Sequence, residues 1–154
     1  MMEPIQLLVT LDRNYLPQLR VLLTSVRLNN PGERFGLFLL HKGLPREDLS
    51  QLERWCRQSD WTFSPIEVGD TLFQNAPVSG QYPREMYYRL LAPHLLPETV
   101  QRVLYLDPDI LVLNPLRPLW ETDLSGCLFA AAAHTGKTQL ANDVNRIRLV
   151  TDHD

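Results

Sequence analysis

Residues 5–40 read IQLLVTLDRNYLPQLRVLLTSVRLNNPGERFGLFLL, and this stretch decides the class of fold. Ile5 to Thr10 is a short apolar run, the pattern of a strand buried on both faces. Asp12-Arg13-Asn14 follows as a turn. From Tyr15 to Asn29 the residues Leu16, Leu19, Leu22, Leu23 and Val26 recur at helical spacing, and Asn29-Asn30-Pro31-Gly32 stops the helix. Arg13, Arg20 and Arg27 fall seven apart and are expected on its solvated face. Phe35 to Leu40 is a second buried strand. A strand, a helix and a strand of these lengths make a βαβ unit, and so a parallel pair.

The same alternation continues outward. Pro45 opens a second helix, with Glu47 and Asp48 at the positive end of its dipole and Leu49, Leu52, Trp55 and Cys56 on its apolar face. Thr62 to Val68 is expected to be a third strand, and residues 70–81 a surface loop. Pro83 starts another helix through Met86, Leu90 and Leu91. Arg102 to Leu106 is a fourth strand, Ile110 to Leu113 a short extended continuation, and Leu128 to Ala133 a last apolar run. The expected architecture is α/β: a mostly parallel sheet with helices on both faces. Thr135 to Asp154 is polar, without a clear apolar face, and the chain is expected to be cut short at its C-terminus.

The 154 residues suit one domain with a real core. An apolar fraction of 44% and a charged fraction of 21% are ordinary globular values and exclude disorder or a collagen-like chain. The net charge of −3 argues against general nucleic-acid binding, which needs an excess of Lys and Arg. Cys56 and Cys127 form no metal-binding pair and are expected as buried thiols. No run approaches the roughly 18–20 apolar residues of a membrane span. The expected compartment is the cytoplasm, with a peripheral position at the membrane as a further option.

In open parallel sheets, ligands bind beyond the carboxyl ends of the strands, so the residues following each strand hold the chemistry. There is no G-x-G-x-x-G, Walker A loop, G-x-S-x-G or H-E-x-x-H. The fourth strand runs into Asp107-Pro108-Asp109. Carboxylates at i and i+2 of an extended chain share one face with Cα atoms about 6.5–7 Å apart. They repel, and Mg²⁺ or Mn²⁺, which take oxygen ligands and leave places for water and phosphate, would resolve the repulsion. Asp-Pro-Asp is also a good turn sequence, and the two readings stand side by side. After the first strand, Asp12, Asn14 and Tyr15 could read and stack a base, or cap and pack the next helix. Arg89 could face a diphosphate or sugar, or pair with Glu85 one turn away. His41, His94, His134 and His153 lack metal-ligand spacing and fit surface or capping roles. His134, after the Ala130 to Ala133 run, is the best placed of them to contact substrate.

Four segments in this order, LLVTLDRNYLPQLRVLLTSVRLNNP (7–31), PREMYYRLLAPHLLP (83–97), RVLYLDPDILVLNPLRPLW (102–120) and GCLFAAAAHTG (126–136), resemble glycosyltransferase family 8. That family includes glycogenin and bacterial lipopolysaccharide galactosyl- and glucosyltransferases. The resemblance implies a GT-A (Rossmann-like) fold over residues 1–154, a UDP-hexose donor, Mn²⁺ (or Mg²⁺) and transfer with retention to a carbohydrate or lipopolysaccharide-type acceptor. By position it implies that Asp107 and Asp109 hold the metal, that Thr10, Asp12, Asn14 and Tyr15 surround uridine, that Arg89 contacts the donor, and that Pro108 lies against the nucleotide. Two departures stand out. The family's F-N-[SA]-G-V and H-x-x-G-x-x-K-P motifs, the second of which supplies a metal-binding His, are absent here. His134 also stands where the family often has Asp. No nucleophile can be named. A UDP-binding chain without turnover is the alternative reading, and self-association into a homo-oligomer is expected if apolar surface is left uncovered.

Overall fold

The computed structural model describes residues 3–69 and 84–132. The chain divides into two compact units, Met1–Glu121 and Thr122–Asp154. Among the described residues, all helices and strands lie in the first unit. Strand β1 (Ile5–Leu11) leads through a 3-10 turn (Arg13–Tyr15) into α1 (Leu16–Asn29), then β2 (Phe35–His41), α2 (Arg46–Gln58) and β3 (Thr62–Glu67). After the interval come a 3-10 helix (Arg84–Leu91), α3 (Ala92–Leu95), β4 (Leu104–Tyr105) and α4 (Arg117–Trp120).

The four strands form one parallel sheet in the order β3-β2-β1-β4. β1 pairs along its whole length with β2, from Ile5 opposite Phe35 to Leu11 opposite His41, and on its other edge Leu8 lies opposite Tyr105. The near-continuous apolar sequences of β1 and β2 are thereby explained, because central parallel strands bury both faces. β3 is an edge strand, where Pro65 breaks no ladder bond that a central strand would require.

Alternation along β1 divides the core in two. Ile5, Leu7, Val9 and Leu11 pack with Leu19, Leu22, Leu23 and Val26 of α1 and with Leu52 and Cys56 of α2. Leu8 faces the other way, with Phe38, Leu40, Tyr88 and Ala92. Helices therefore cover both faces, as the strand–helix alternation implied. Burial and the nearby Glu53 carboxylate push the Cys56 thiol up to about 12, which makes it an inert core group. Cys127, expected to be buried, is exposed.

The arginine stripe is exposed, as expected, and its side chains also reach α2. Arg13 pairs with Asp48 at 3.2 Å, Arg20 donates to Gln51 at 2.6 Å, and Arg27 lies 5.2 Å from the centre of the Trp55 ring. Other differences have local causes. The helix expected from Pro83 is 3-10 from Arg84 to Leu91, with α3 starting at Ala92. Pro93 has no N–H and would crowd the carbonyl of residue 89 in a continuous α-helix. The run from Leu128 forms no strand through residue 132, in keeping with the low strand preference of its alanines. The loop expected at 70–81 lies outside the described residues.

Residues 110–113 join none of the described strands, and side chains take the place of a ladder. Val112 N–H donates to Ser25 Oγ at 3.0 Å, and the Val112 carbonyl accepts from Asn29 Nδ2 at 2.9 Å. Leu116 N–H donates to Asn30 Oδ1 at 2.6 Å, while Asn30 Nδ2 donates to the Val26 carbonyl at 2.8 Å. The asparagines that stop α1 thus also clamp the segment that follows Asp109. An ion pair between Arg117 and Glu33 secures the next turn.

Asn30 is 4% exposed. Replacing it with Ala leaves the Leu116 N–H buried and unpaired, and should cost about 1–3 kcal/mol. Arg20→Ala, which removes an exposed bond, should change stability by no more than about 0.5 kcal/mol. Urea unfolding of the two variants measures the contrast, and equal effects would refute the clamp.

Candidate functional site

From β1 the chain steps to β2 and then β3 on one side, and later returns to place β4 on the other side of β1. The strand order therefore reverses between β1 and β4. In open parallel sheets the carboxyl ends of the strands at such a reversal are the usual ligand position. The residues singled out after the first and fourth strands occupy the two sides of this reversal.

On the β4 side, Leu106 still donates its N–H to the Leu8 carbonyl at 3.0 Å, and Pro108-Asp109 then turns. Leu106 and Pro108 are buried, whereas Asp107 and Asp109 are exposed. The motif is both a turn and a presentation of two carboxylates to solvent, so the two sequence readings are compatible. Pro108 packs inward. Among the described residues no group of three or more His, Cys, Asp or Glu side chains could hold a metal ion. The aspartate pair has the hard oxygen donors that suit Mg²⁺ or Mn²⁺ but forms only part of a coordination shell.

On the β1 side, Thr10 is buried and faces the same side of the sheet as Leu8, two residues earlier. Asp12 caps the 3-10 turn: its Oδ1 accepts the Asn14 N–H at 2.7 Å, and Asn14 Nδ2 lies 3.4 Å from Oδ2. The capping reading of Asp12 is therefore correct, while Asn14 stays exposed. Tyr15 keeps 37% of its surface open, so its ring is only partly packed.

Tyr105 connects the two sides, although in sequence it is one more strand residue. Its hydroxyl donates to Asp107 Oδ1 at 2.7 Å and lies 3.4 Å from Thr10 Oγ1. With its one proton given to Asp107, the phenol oxygen accepts from the Thr10 hydroxyl. Burial pushes the Tyr105 phenol up from its ordinary value, which keeps it a neutral donor. Arg89, on the 3-10 helix of the second face, stacks 5.2 Å from the Tyr105 ring centre and places Nη1 3.9 Å from Asp107 Oδ1. Asp107 is thus neighboured by a cation from a distant segment, a partner that its flanking sequence does not reveal. Both side chains of this ion pair are at least one-third exposed, so it contributes little to stability. The signal that could have found Tyr105 is its place two residues before Asp107, on the same face of an extended chain. His134 lies outside the described residues.

His41 ends β2 beside this edge. It is 3% exposed, and its Nδ1 accepts the Leu44 N–H at 3.3 Å, which puts the imidazole proton on Nε2. It has the capping role expected of it, but in the interior.

Solved structures place this architecture among the GT-A glycosyltransferases. The galactosyltransferase LgtC in complex with donor and acceptor sugar analogs superposes with a TM-score of 0.70 at 27% identity, over 78% of this chain and 43% of that one. The glycosyltransferase GlyE of Streptococcus pneumoniae TIGR4, at 19% identity and a TM-score of 0.60, shares the fold. The family model for glycosyl transferase family 8 matches residues 6–153, and the chain belongs to that family. Its curated relatives include general stress protein A of Bacillus subtilis, 26% identical over 87% of this chain and 48% of the relative. Another is the lipopolysaccharide 1,2-glucosyltransferase of Escherichia coli, 27% identical over 77% and 35% respectively. The chain spans less than half the length of these relatives. Among the described residues no helix is long and apolar enough to cross a membrane.

Burial holds the His41 imidazole below its usual 6.5, an effect that Glu67 opposes. As pH falls through about 6.5 the unfolded chain takes up a proton that the native chain refuses, so stability drops down to the depressed native value and the penalty is then constant. Urea unfolding from about pH 7.5 to 5.5 should show this loss, and His41→Gln should flatten it. Parallel pH profiles for the two proteins would contradict the assignment.

Proposed function

We propose that this chain supplies the donor-binding part of a retaining hexosyltransferase that uses a UDP-hexose. The observation that carries the proposal is the pair of exposed carboxylates, Asp107 and Asp109, on a turn at the carboxyl end of β4, beside the strand-order reversal and the Thr10–Tyr15 segment that ends β1 and forms the turn after it. Two comparisons support it: LgtC was solved with donor and acceptor sugar analogs, and a curated relative is a lipopolysaccharide glucosyltransferase.

In this reading Asp107 and Asp109 hold Mn²⁺ or Mg²⁺ through their carboxylate oxygens, with the diphosphate completing part of the shell. When bound, the ion supplies Lewis-acid stabilisation of the charge that builds on the departing UDP. The chain's own residues bind and orient. Tyr15 offers a partly open ring for the base to stack on, Asp12 and Asn14 hold the turn beneath it, and Thr10 closes the end of β1. Arg89 offers a guanidinium to the diphosphate or the sugar. Pro108, packed inward, fixes the turn that separates the two carboxylates. The acceptor is a carbohydrate or a lipopolysaccharide-type sugar, with His134 as a contact.

A second reading, UDP binding without transfer, is supported by the ligand count. The described residues offer two carboxylates and no third protein ligand to the ion. A transfer assay with UDP-glucose and UDP-galactose separates this reading from the first.

Calorimetry with UDP tests the site itself. Affinity should rise when Mn²⁺ is added, and Asp109→Ala should abolish that gain. Equal affinity with and without Mn²⁺ in the unmodified protein would defeat the metal assignment.

Tyr15→Ala should weaken UDP binding by about 1–3 kcal/mol, the usual worth of stacking one base, with little change in melting temperature. A lowered melting temperature with unchanged UDP affinity would make Tyr15 a packing residue instead.

A further inference from the structure

We infer that Tyr105 is a positioning residue for the metal site: its hydroxyl fixes the Asp107 carboxylate so that one oxygen is occupied by the protein and the other is left for the cation. This rests on the metal-binding role proposed for Asp107 and Asp109. Three contacts carry it. The Tyr105 hydroxyl donates to Asp107 Oδ1 at 2.7 Å, and Arg89 Nη1 approaches the same oxygen at 3.9 Å. The Thr10 hydroxyl, 3.4 Å from the phenol oxygen, aims the tyrosine from the neighbouring strand. The hydrogen bond and the ion pair both fall on Oδ1, which leaves Oδ2 as the coordinating oxygen.

The geometry gives each group a distinct part. Asp107 is exposed, and a free carboxylate on a solvent-facing turn samples several rotamers, only some of which point toward Asp109. A bond from a half-buried aromatic side chain, itself rooted in the sheet, removes much of that freedom before the cation arrives. Ligand orientation by a fixed hydrogen-bond donor is a recognised determinant of metal affinity. Arg89 adds a second effect. Stacked on the Tyr105 ring 5.2 Å from its centre, the guanidinium is kept beside Asp107 without closing to a bidentate pair. The tyrosine hydroxyl occupies the oxygen that such a pair would take. Loss of the hydroxyl would free Asp107 to rotate and Arg89 to compete with the cation, and both changes weaken metal binding.

The chain Thr10–Tyr105–Asp107 also crosses the strand-order reversal, from β1 on the nucleotide side to β4 on the metal side. A disturbance at Thr10 should therefore reach the metal.

Tyr105→Phe removes one oxygen atom and keeps the ring under Arg89. Mn²⁺ affinity is read from the free-ion electron paramagnetic resonance signal in the presence of UDP, UDP affinity is read separately in EDTA, and folding is followed by thermal melting. The variant should bind Mn²⁺ about 10-fold or more weakly, with UDP affinity in EDTA and the melting temperature unchanged. Unaltered Mn²⁺ affinity in Tyr105→Phe, while the parent protein binds Mn²⁺, overturns the inference and leaves the metal assignment standing. A parent protein that binds no Mn²⁺ removes both. Parallel losses of Mn²⁺ affinity, metal-free UDP affinity and melting temperature make Tyr105 a structural residue and also overturn the inference. If Tyr105→Phe does not fold, Thr10→Val decides: it withdraws the hydroxyl that aims the phenol, so a smaller loss of Mn²⁺ affinity with UDP affinity in EDTA unchanged supports the positioning role, and no loss, or a loss matched by metal-free UDP affinity, refutes it.

Discussion

Everything in the first unit is hung on β1. Its backbone is paired on both edges, to β2 over seven residues and to β4 at its other side, and six of its seven side chains are buried. A strand with no free edge and no free face has no polar side to offer, which is why IQLLVTL carries a single polar amide and a single hydroxyl. Gln6 is the only residue of the strand that is not fully buried. The hydroxyl, Thr10, sits near the carboxyl end of the strand and finds Tyr105. Burial of β1 on both faces also sets where the helices go, with α1 and α2 on one side and the Arg84–Leu95 segment on the other.

The site inherits its position from this arrangement and its rigidity from a second device. After Asp109 the chain leaves the sheet and would be free to wander, since residues 110–113 make no ladder. Ser25, Asn29 and Asn30 at the end of α1 satisfy the backbone of Val112 and Leu116 instead. Val112, Leu116 and Trp120 then drop into the same apolar cluster as α1. A buried polar side chain that bridges two backbones is costly to leave half-made, so the connection is specific as well as stabilising. The aspartate turn is consequently held from both sides, by the Leu106–Leu8 bond before it and by the asparagine clamp after it.

Electrostatically the site is balanced rather than bare. Asp107 has a phenol and a guanidinium beside it, one as a hydrogen-bond donor and one as a nearby charge, and both reach it from the second face of the sheet. Such an environment tolerates a carboxylate without a metal and still leaves coordination capacity, since a carboxylate has about four lone-pair directions and these neighbours share one oxygen.

Much of this was legible in the residues. The βαβ alternation, the buried character of β1 and β2, the helical face of α1 and the place of Asp107 and Asp109 after a strand follow from apolar periodicity and from where stop residues fall, because local burial patterns are written directly into side-chain chemistry. That Asp107 and Asp109 are exposed around a buried Pro108 is set by the turn at 108–109 and not by the i, i+2 spacing of an extended chain. What only the tertiary structure decided are the relations between distant segments. Asn29 and Asn30 announce a helix end in sequence, yet their side chains act 83 and 86 residues away. Arg89 appears bound to its own helix, yet it stands over Tyr105 and beside Asp107 because the 3-10 segment crosses the second face of the sheet. Tyr105 looks like any strand aromatic until β4 is set against β1 and its hydroxyl meets Thr10. Periodicity tells which face a residue takes, but partners across the fold are chosen by strand order and register, and those are properties of the packed sheet as a whole.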